Sequence, residues 1–366
     1  MTKPPYLGMM SGTSMDGVDA VIARFPENKV DIIGSTWSAY PETLKTRLNA
    51  LVEPDWRGSL ADIQDLDHQV GQFHAAIAAE LISRTGVHPH AIGYHGQTIH
   101  HQPDAACPNS WQLGDPNLIV AATGVTTICD WRRRDIALGG QGAPLTPVFH
   151  ARIFREQRPV GVLNLGGIAN LTVIPPDPGA PVIGFDCGPA NTLIDLWSRQ
   201  HDRGDYDADG AWAASGNVND TLLQRLRADP YFQRPPPKST GREHFHRQWL
   251  SQRLHGLEVP AEDVQATLTE LTAVTIVDAL ESWAPDVRKI HLCGGGAYNP
   301  YLVERLQSLG GSRHWQSTAL AGIPPDKVEA IAFAWFASQT IDQRPLPLAS
   351  ITGARSDGVA GAIYTP

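Results

Sequence analysis

Cysteine is scarce: the 366-residue chain has four, Cys107, Cys129, Cys187 and Cys293, and no Cys-x-x-Cys pair. That argues against a disulfide framework or a cysteine-built zinc site and fits a reducing, cytoplasmic setting. No apolar run approaches the ~18 residues that cross a bilayer, and the opening stretch lacks a signal-peptide core, so neither export nor a membrane contact is expected. Basic residues are outnumbered, 29 Lys and Arg against 38 Asp and Glu, for a net charge of −9. An acidic chain repels a phosphate backbone, so nucleic acid is not an expected partner. The GxxxxGK[ST] pattern of a Walker A loop is also missing.

What is present is the composition of a folded protein, 42% hydrophobic and 18% charged, long enough at roughly 100–200 residues per domain for two domains. Strand-like and helix-like segments alternate, which predicts an α/β fold. A strand at Tyr6–Met10 passes through a glycine-containing turn into a second at Val18–Phe25. Leu60, Ile63, Leu66, Val70, Phe73, Ile77 and Leu81 recur at helical spacing and predict a helix from Ser59 to Arg84. Short strands are expected at Ala91–Tyr94 and Thr126–Cys129, each leading into a polar loop. The pattern restarts at Val160–Leu165, turns at Gly166-Gly167 and returns over Ile168–Ile174. A strand at Val182–Phe185, a helix from Pro189, a long helix over Ala261–Trp283, a strand at Lys289–Leu292 and a last helix over Pro325–Ala337 follow. Each half opens with strand, glycine turn and strand, which reads as a duplication, with domains expected at 1–150 and 151–366.

Six segments could carry chemistry. Ser11 to Asp19, SGTSMDGVD, offers small residues whose backbone N–H groups can meet an anion, and Asp16 and Asp19 that could hold a metal; a plain Gly/Asp hairpin turn is the alternative. Asn164, Gly166, Gly167 and Asn170 occupy the corresponding turn of the second half. Gly294, Gly295 and Gly296 follow a strand and allow close approach of a ring or phosphate, or make a sharp turn. Asp186, after an apolar run and before Gly188-Pro189, suits a general base or a magnesium ligand, and equally a helix-capping Asp. A polar cluster from Tyr94 to Leu145 supplies Gln97, Arg134 and Asp135 for hydrogen bonds to a polyhydroxylated ligand. Lys238 to Arg242 is a further basic, hydroxyl-rich loop, open to reading as a ligand contact or a mobile surface segment.

Taken in order, SGTSMDGVD, GYHGQTIHHQP, DWRRRDIALGGQGAPLTP, NLGGIANLTV, GFDCGPANTLID, DGAWAASG, PKSTGREHF, CGGGAYN and EAIAFAW resemble the anhydro-N-acetylmuramic acid kinase family over nearly the whole chain. The resemblance implies two related actin/ribonuclease H-like domains with ATP in the cleft between them, as in sugar kinases, actin and Hsp70-type chaperones. It implies a cytoplasmic enzyme of peptidoglycan recycling that takes ATP, Mg2+ and 1,6-anhydro-N-acetylmuramic acid, and it suggests a homodimer. Carried over by position, Gly12, Thr13, Ser14, Met15, Asp16, Gly17, Val18 and Asp19 resemble the ATP loop, with Gly12 and Gly17 expected at positive φ. Gly167 and Asn170 resemble the second phosphate loop, Gly294 to Gly296 the adenosine side, and Asp186 the catalytic base. Gln97, Arg134 and Glu329 are expected near the sugar. Another kinase of the superfamily, acting on an ordinary hydroxyl, and an actin- or chaperone-like ATPase are the competing readings.

Overall fold

The structure, a computed structural model, describes residues 3–53 and 55–366. It divides into two compact units, Met1–Ile153 with Lys327–Pro366, and Phe154–Asp326. Strands β1 (Tyr6–Ser11), β2 (Gly17–Arg24), β3 (Asp31–Ala39), β4 (Ile92–Gln102), β5 (Asn109–Leu113) and β6 (Thr127–Cys129) belong to the first. The second holds β7 (Val160–Leu165), β8 (Ile168–Ile174), β9 (Ile183–Pro189), β10 (Lys289–Cys293) and β11 (His314–Ser317), and the chain then returns to the first with β12 (Ala362–Tyr364).

The first sheet runs β12-β6-β4-β1-β2-β3, with β5 on β4; the second runs β11-β10-β7-β8-β9. In each, an antiparallel meander of three strands (β1-β2-β3, β7-β8-β9) is extended by two parallel strands (β4 and β6, β10 and β11). The duplication expected from the paired glycine hairpins is therefore a duplication of the whole five-strand order.

Residues 327–366 correct the expected second domain, 151–366. The helix Val328–Ile341 packs on β1 and β4, and β12 pairs antiparallel with β6, so this tail completes the first unit. Local periodicity cannot show which sheet a late segment rejoins. Two further differences concern strand length. β4 continues through His95–Gln102, where a polar loop was expected, because bulged ladders to β1 and β5 take up its backbone groups. β9 continues past Phe185 to Pro189, so the following helix begins at Asn191 and Asp186 sits inside a strand.

The helix Leu60–Thr85 shows how closely local chemistry sets an element. Ser59 and Asp62 form a reciprocal capping box, and Gly86 ends the helix at φ 64°. Leu66, Val70, Ile77 and Leu81 are buried, whereas Leu60 at the first turn is exposed.

His74, on the same helix, is wholly buried between two phenols: Nε2 lies 2.8 Å from Tyr40 Oη and Nδ1 lies 2.8 Å from Tyr94 Oη. Burial pushes its pKa from 6.5 down to about 3. The unfolded chain takes up a proton near pH 6.5 while the folded chain resists until about 3, so the unfolded state binds more protons across that window. Stability conferred by a neutral His74 is therefore complete above pH 6.5 and falls as the pH is lowered. The slope is about 1.4 kcal/mol per pH unit for each such group. His101, also pushed by burial to about 3, adds to it. Urea unfolding at pH 7 and pH 5 should show this loss, and His74→Gln should flatten the slope; an unchanged slope in the variant would remove His74 as a source.

Candidate active site

In the first unit the segment Gly12–Asp16 closes the β1–β2 hairpin. Met15 N–H donates to Gly12 O (3.2 Å), Ser14 Oγ donates to Asp16 Oδ1 (2.7 Å), and Tyr40 N–H donates to Asp16 O (3.0 Å). The positive φ of the turn falls on Met15 (56°), not on Gly12 or Gly17 as expected. A bulky residue holds that conformation here because its side chain is buried in a cluster with Tyr40, Leu44, Leu66 and Val70. Gly17 is needed for another reason: a Cβ there would lie 2.3 Å from Ser38 O. Gly12 has open space, its nearest neighbour being Ser14 Oγ at 3.7 Å, and Thr13 and Val18 complete the loop and the start of β2. Asp19 is ion-paired with Lys327.

The three residues expected near a sugar separate. Gln97 is fully buried and its carboxamide is spent: Oε1 accepts from Ser11 Oγ (2.6 Å) and Tyr40 Oη (3.3 Å), and Nε2 donates to Gly12 O and Thr98 O (both 3.1 Å). In this structure it braces the Gly12 turn. Arg134 is exposed on the short helix Trp131–Ala137, while its neighbour Arg132 points inward to His95 Nε2 (2.9 Å). Glu329 lies half-buried in the first turn of Val328–Ile341. Asp135 is buried, accepting from Thr352 Oγ1 (2.8 Å) and Gly142 N–H (2.7 Å), so it pins the Gly139–Gly142 loop.

In the second unit the β7–β8 turn has a structural duty that the sequence hid. The helix Asn191–Gln200 starts after Ala190, which has no capping side chain. Backbone carbonyls of the turn substitute for the cap: Gly167 O accepts from Ala190 N–H (2.9 Å) and Thr192 N–H (3.0 Å), and Gly166 O from Asn191 N–H (3.1 Å). The Gly294–Gly296 segment presses on the same turn. Gly294 has φ 79°, and a Cβ on it would fall 2.4 Å from Asn164 Oδ1; one on Gly296 would fall 2.8 Å from Leu165 Cβ. Gly295 has nothing within 4 Å and is the glycine left open to a ligand.

Asp186, 5% exposed, is fixed from several sides. Its carboxylate Oδ2 accepts Thr240 N–H (3.0 Å), its own N–H donates to Lys238 O (3.2 Å), and its carbonyl accepts Tyr231 Oη (2.8 Å). Lys238 and Ser239 are thus buried and not at the surface, and Lys238 Nζ donates to Tyr231 O (3.2 Å) and Phe232 O (3.3 Å) over the Tyr231 ring. Burial pulls the Lys238 pKa below the usual lysine range. Tyr231 is a positioning residue that sequence reasoning missed, and Lys238, singled out there only as part of a basic loop, holds Asp186 through its backbone; the segments that meet at Asp186 are far apart in the chain.

A strand-borne carboxylate held by the Thr240 amide, with glycine turns in the same unit that admit close approach, suits proton abstraction next to a phosphate-bearing ligand. Among the described residues no helix is long and apolar enough to cross a membrane. The family model for anhydro-N-acetylmuramic acid kinase matches residues 4–366. The anhydro-N-acetylmuramic acid kinase of Xylella fastidiosa (strain Temecula1) is 48% identical over 370 residues, covering 99% of this chain and 96% of that protein. That of Xanthomonas axonopodis pv. citri is 47% identical, covering 99% and 98%, and that of Coxiella burnetii (strain Dugway) is 45% identical, covering 100% and 98%. Matched along nearly its full length at this level of identity, the chain belongs to the anhydro-N-acetylmuramic acid kinase family.

Proposed function

We propose that the chain is an ATP-dependent kinase that opens the 1,6-anhydro bridge of 1,6-anhydro-N-acetylmuramic acid with water and phosphorylates O6. The products are N-acetylmuramic acid 6-phosphate and ADP, a step of cell-wall recycling in the ATP-supplied cytoplasm. Asp186 takes a proton from water as the water oxygen bonds to C1 and the C1–O6 bond breaks. Inverting glycoside hydrolysis normally needs an acid for the leaving oxygen as well as a base. Here the departing O6 bonds to the γ-phosphorus of ATP, ADP leaves, and one carboxylate suffices. The observation that carries this chemistry is the buried carboxylate of Asp186 on β9, held by the Thr240 amide.

The Gly12–Asp19 loop is the proposed seat of the ATP phosphates, with Gly167 and the Gly294–Gly296 segment on the nucleotide. Arg134 and Glu329 remain proposed sugar contacts. Asp16 and Asp19 could hold a metal by residue type, and Asp186 could serve as a magnesium ligand. Asp19 is committed to Lys327, and among the described residues no three His, Cys, Asp or Glu side chains gather to hold an ion. The residues do not fit a protein-built cage for Mg2+, an ion that commonly arrives with nucleotide phosphates and keeps several waters.

Incubation with ATP and the anhydro sugar in ¹⁸O-labelled water tests the reaction. Mass spectrometry should find one labelled oxygen, at C1 of a phosphorylated sugar. Phosphorylated product without the label would point to an ordinary hydroxyl kinase, and ADP without any phosphosugar to a simple ATPase.

A further inference from the structure

Strands β7, β8 and β9 carry Asn164, Asn170 and Asp186 in register, Asn164 opposite Asn170 and Asn170 opposite Asp186. Residues directly opposite in antiparallel pairs share a face, so these three polar side chains form a row across the sheet. Asn164 Oδ1 is occupied, 3.9 Å from Cys293 Sγ. Asn170 Oδ1 is buried and meets no hydrogen-bond partner among the described residues, and the same is true of Thr240 Oγ1. Leaving one such atom unsatisfied ordinarily destabilises a fold, and native structures hold few of them. Here two occur beside one carboxylate: Asn170 faces Asp186 across the ladder, and Thr240 donates its amide to Asp186 Oδ2.

We infer that Asn170 and Thr240, together with Asp186, form the seat of the attacking water. The inference rests on the hydrolytic reaction proposed above and adds to it. A water molecule has two hydrogens to give and two lone pairs. Asp186 receives the hydrogen that will be abstracted, and Asn170 Oδ1 receives the other. The Thr240 hydroxyl donates to one lone pair, which leaves the second lone pair as the one free to attack C1. The three groups fix the direction of attack as well as the position of the nucleophile, an alignment that enzymes obtain by preorganisation. Asn170, expected from its turn position to meet a phosphate, is thereby assigned to the nucleophile.

Thr240→Val keeps the side-chain shape and the amide that holds Asp186 but removes the hydroxyl. It should lower kcat roughly tenfold to hundredfold, leave ATP affinity unchanged, and leave the melting temperature unchanged or higher, because an unsatisfied buried group has gone. Thr240→Ser should keep kcat within about threefold of the parent. Asn170→Leu should behave like Thr240→Val, and the double variant should lose less than the product of the two single losses, since both groups serve one water. Should either single variant fail to fold, the other carries the same outcomes. A kcat within twofold of the parent for Thr240→Val, or an equal loss in Thr240→Ser, would overturn the inference; so would a loss of ATP affinity that accounts for the fall. The ¹⁸O experiment on the unaltered protein separates the two proposals. Label at C1 with normal Thr240→Val turnover removes the water seat alone, whereas no label at C1 removes the reaction itself.

Discussion

Asp186→Asn should reduce kcat by at least 10²–10⁴-fold, the usual worth of a general base, while ATP binds with its original affinity. The substitution is nearly isosteric, and the groups that fix residue 186 do not depend on its charge. Thr240 N–H can still donate to the asparagine oxygen, and the backbone bonds to Lys238 O and Tyr231 Oη are untouched. In the proposed reaction, what disappears is the capacity to accept a proton from water as C1 is attacked. The loss should therefore fall on kcat, with the melting temperature within a degree or two of the parent. Steady-state kinetics together with calorimetric titration of ATP would show it. Turnover within about threefold of the parent, with ATP still bound, would remove Asp186 from the base role.

Much of the scaffold for this site was legible because local chemistry dictated it. The β1–β2 and β7–β8 hairpins announce themselves as paired apolar runs around small-residue turns, and the Leu60–Thr85 helix carries its own start and stop signals. What was not legible depends on distant partners. β3 and β12 carry no buried residue, only exposed and half-buried ones, and owe their existence to β2 and β6. β4 beyond Tyr94 is a polar strand that stays extended because β1 and β5 flank it.

The site divides along the same line. Asp186 and the glycine turns could be named from composition and spacing, but what each does there depends on neighbours brought from elsewhere. Gln97 shows the difference. A glutamine in a polar stretch reads as a ligand contact, yet Ser11, Tyr40, Gly12 and Thr98 take up its whole carboxamide. Lys238 shows the reverse. In a basic, proline-flanked segment it reads as a ligand contact or a surface residue, yet it is buried beside Asp186, where the carbonyls of Tyr231 and Phe232 receive its ammonium.

The largest stability effect expected in the first unit comes from two glycines with no part in the chemistry. Gly8 on β1 and Gly93 on β4 let the helix Val328–Ile341 lie directly on the sheet. A Cβ at Gly8 would sit 1.9 Å from Ala330 O and 2.4 Å from Ala334 N; one at Gly93 would sit 1.9 Å from Phe333 O. The clashing atoms are helix backbone, so no rotamer change relieves them, and the helix must move away by more than an ångström. Restricting a glycine in the unfolded chain favours alanine by about 0.4–1 kcal/mol. Overpacking typically costs about 1–3 kcal/mol and occasionally more, and with backbone on the receiving side the upper end is expected. Gly93→Ala should therefore lower stability by about 2–3 kcal/mol and the unit's melting temperature by roughly 4–12 °C. Gly8→Ala should do the same, and the double variant should lose less than the sum, because one retreat of the helix accommodates both methyl groups. A change under about 2 °C in either single variant would mean that the helix does not lie this close. Activity should fall as well, even at temperatures where the variants stay folded. The helix carries Glu329 in its first turn, Lys327 precedes it and pairs with Asp19, and β1 leads into the Gly12 turn. A displaced helix moves these groups together, so the spacing set by two missing side chains is part of how the Gly12 turn, the proposed phosphate loop, is held.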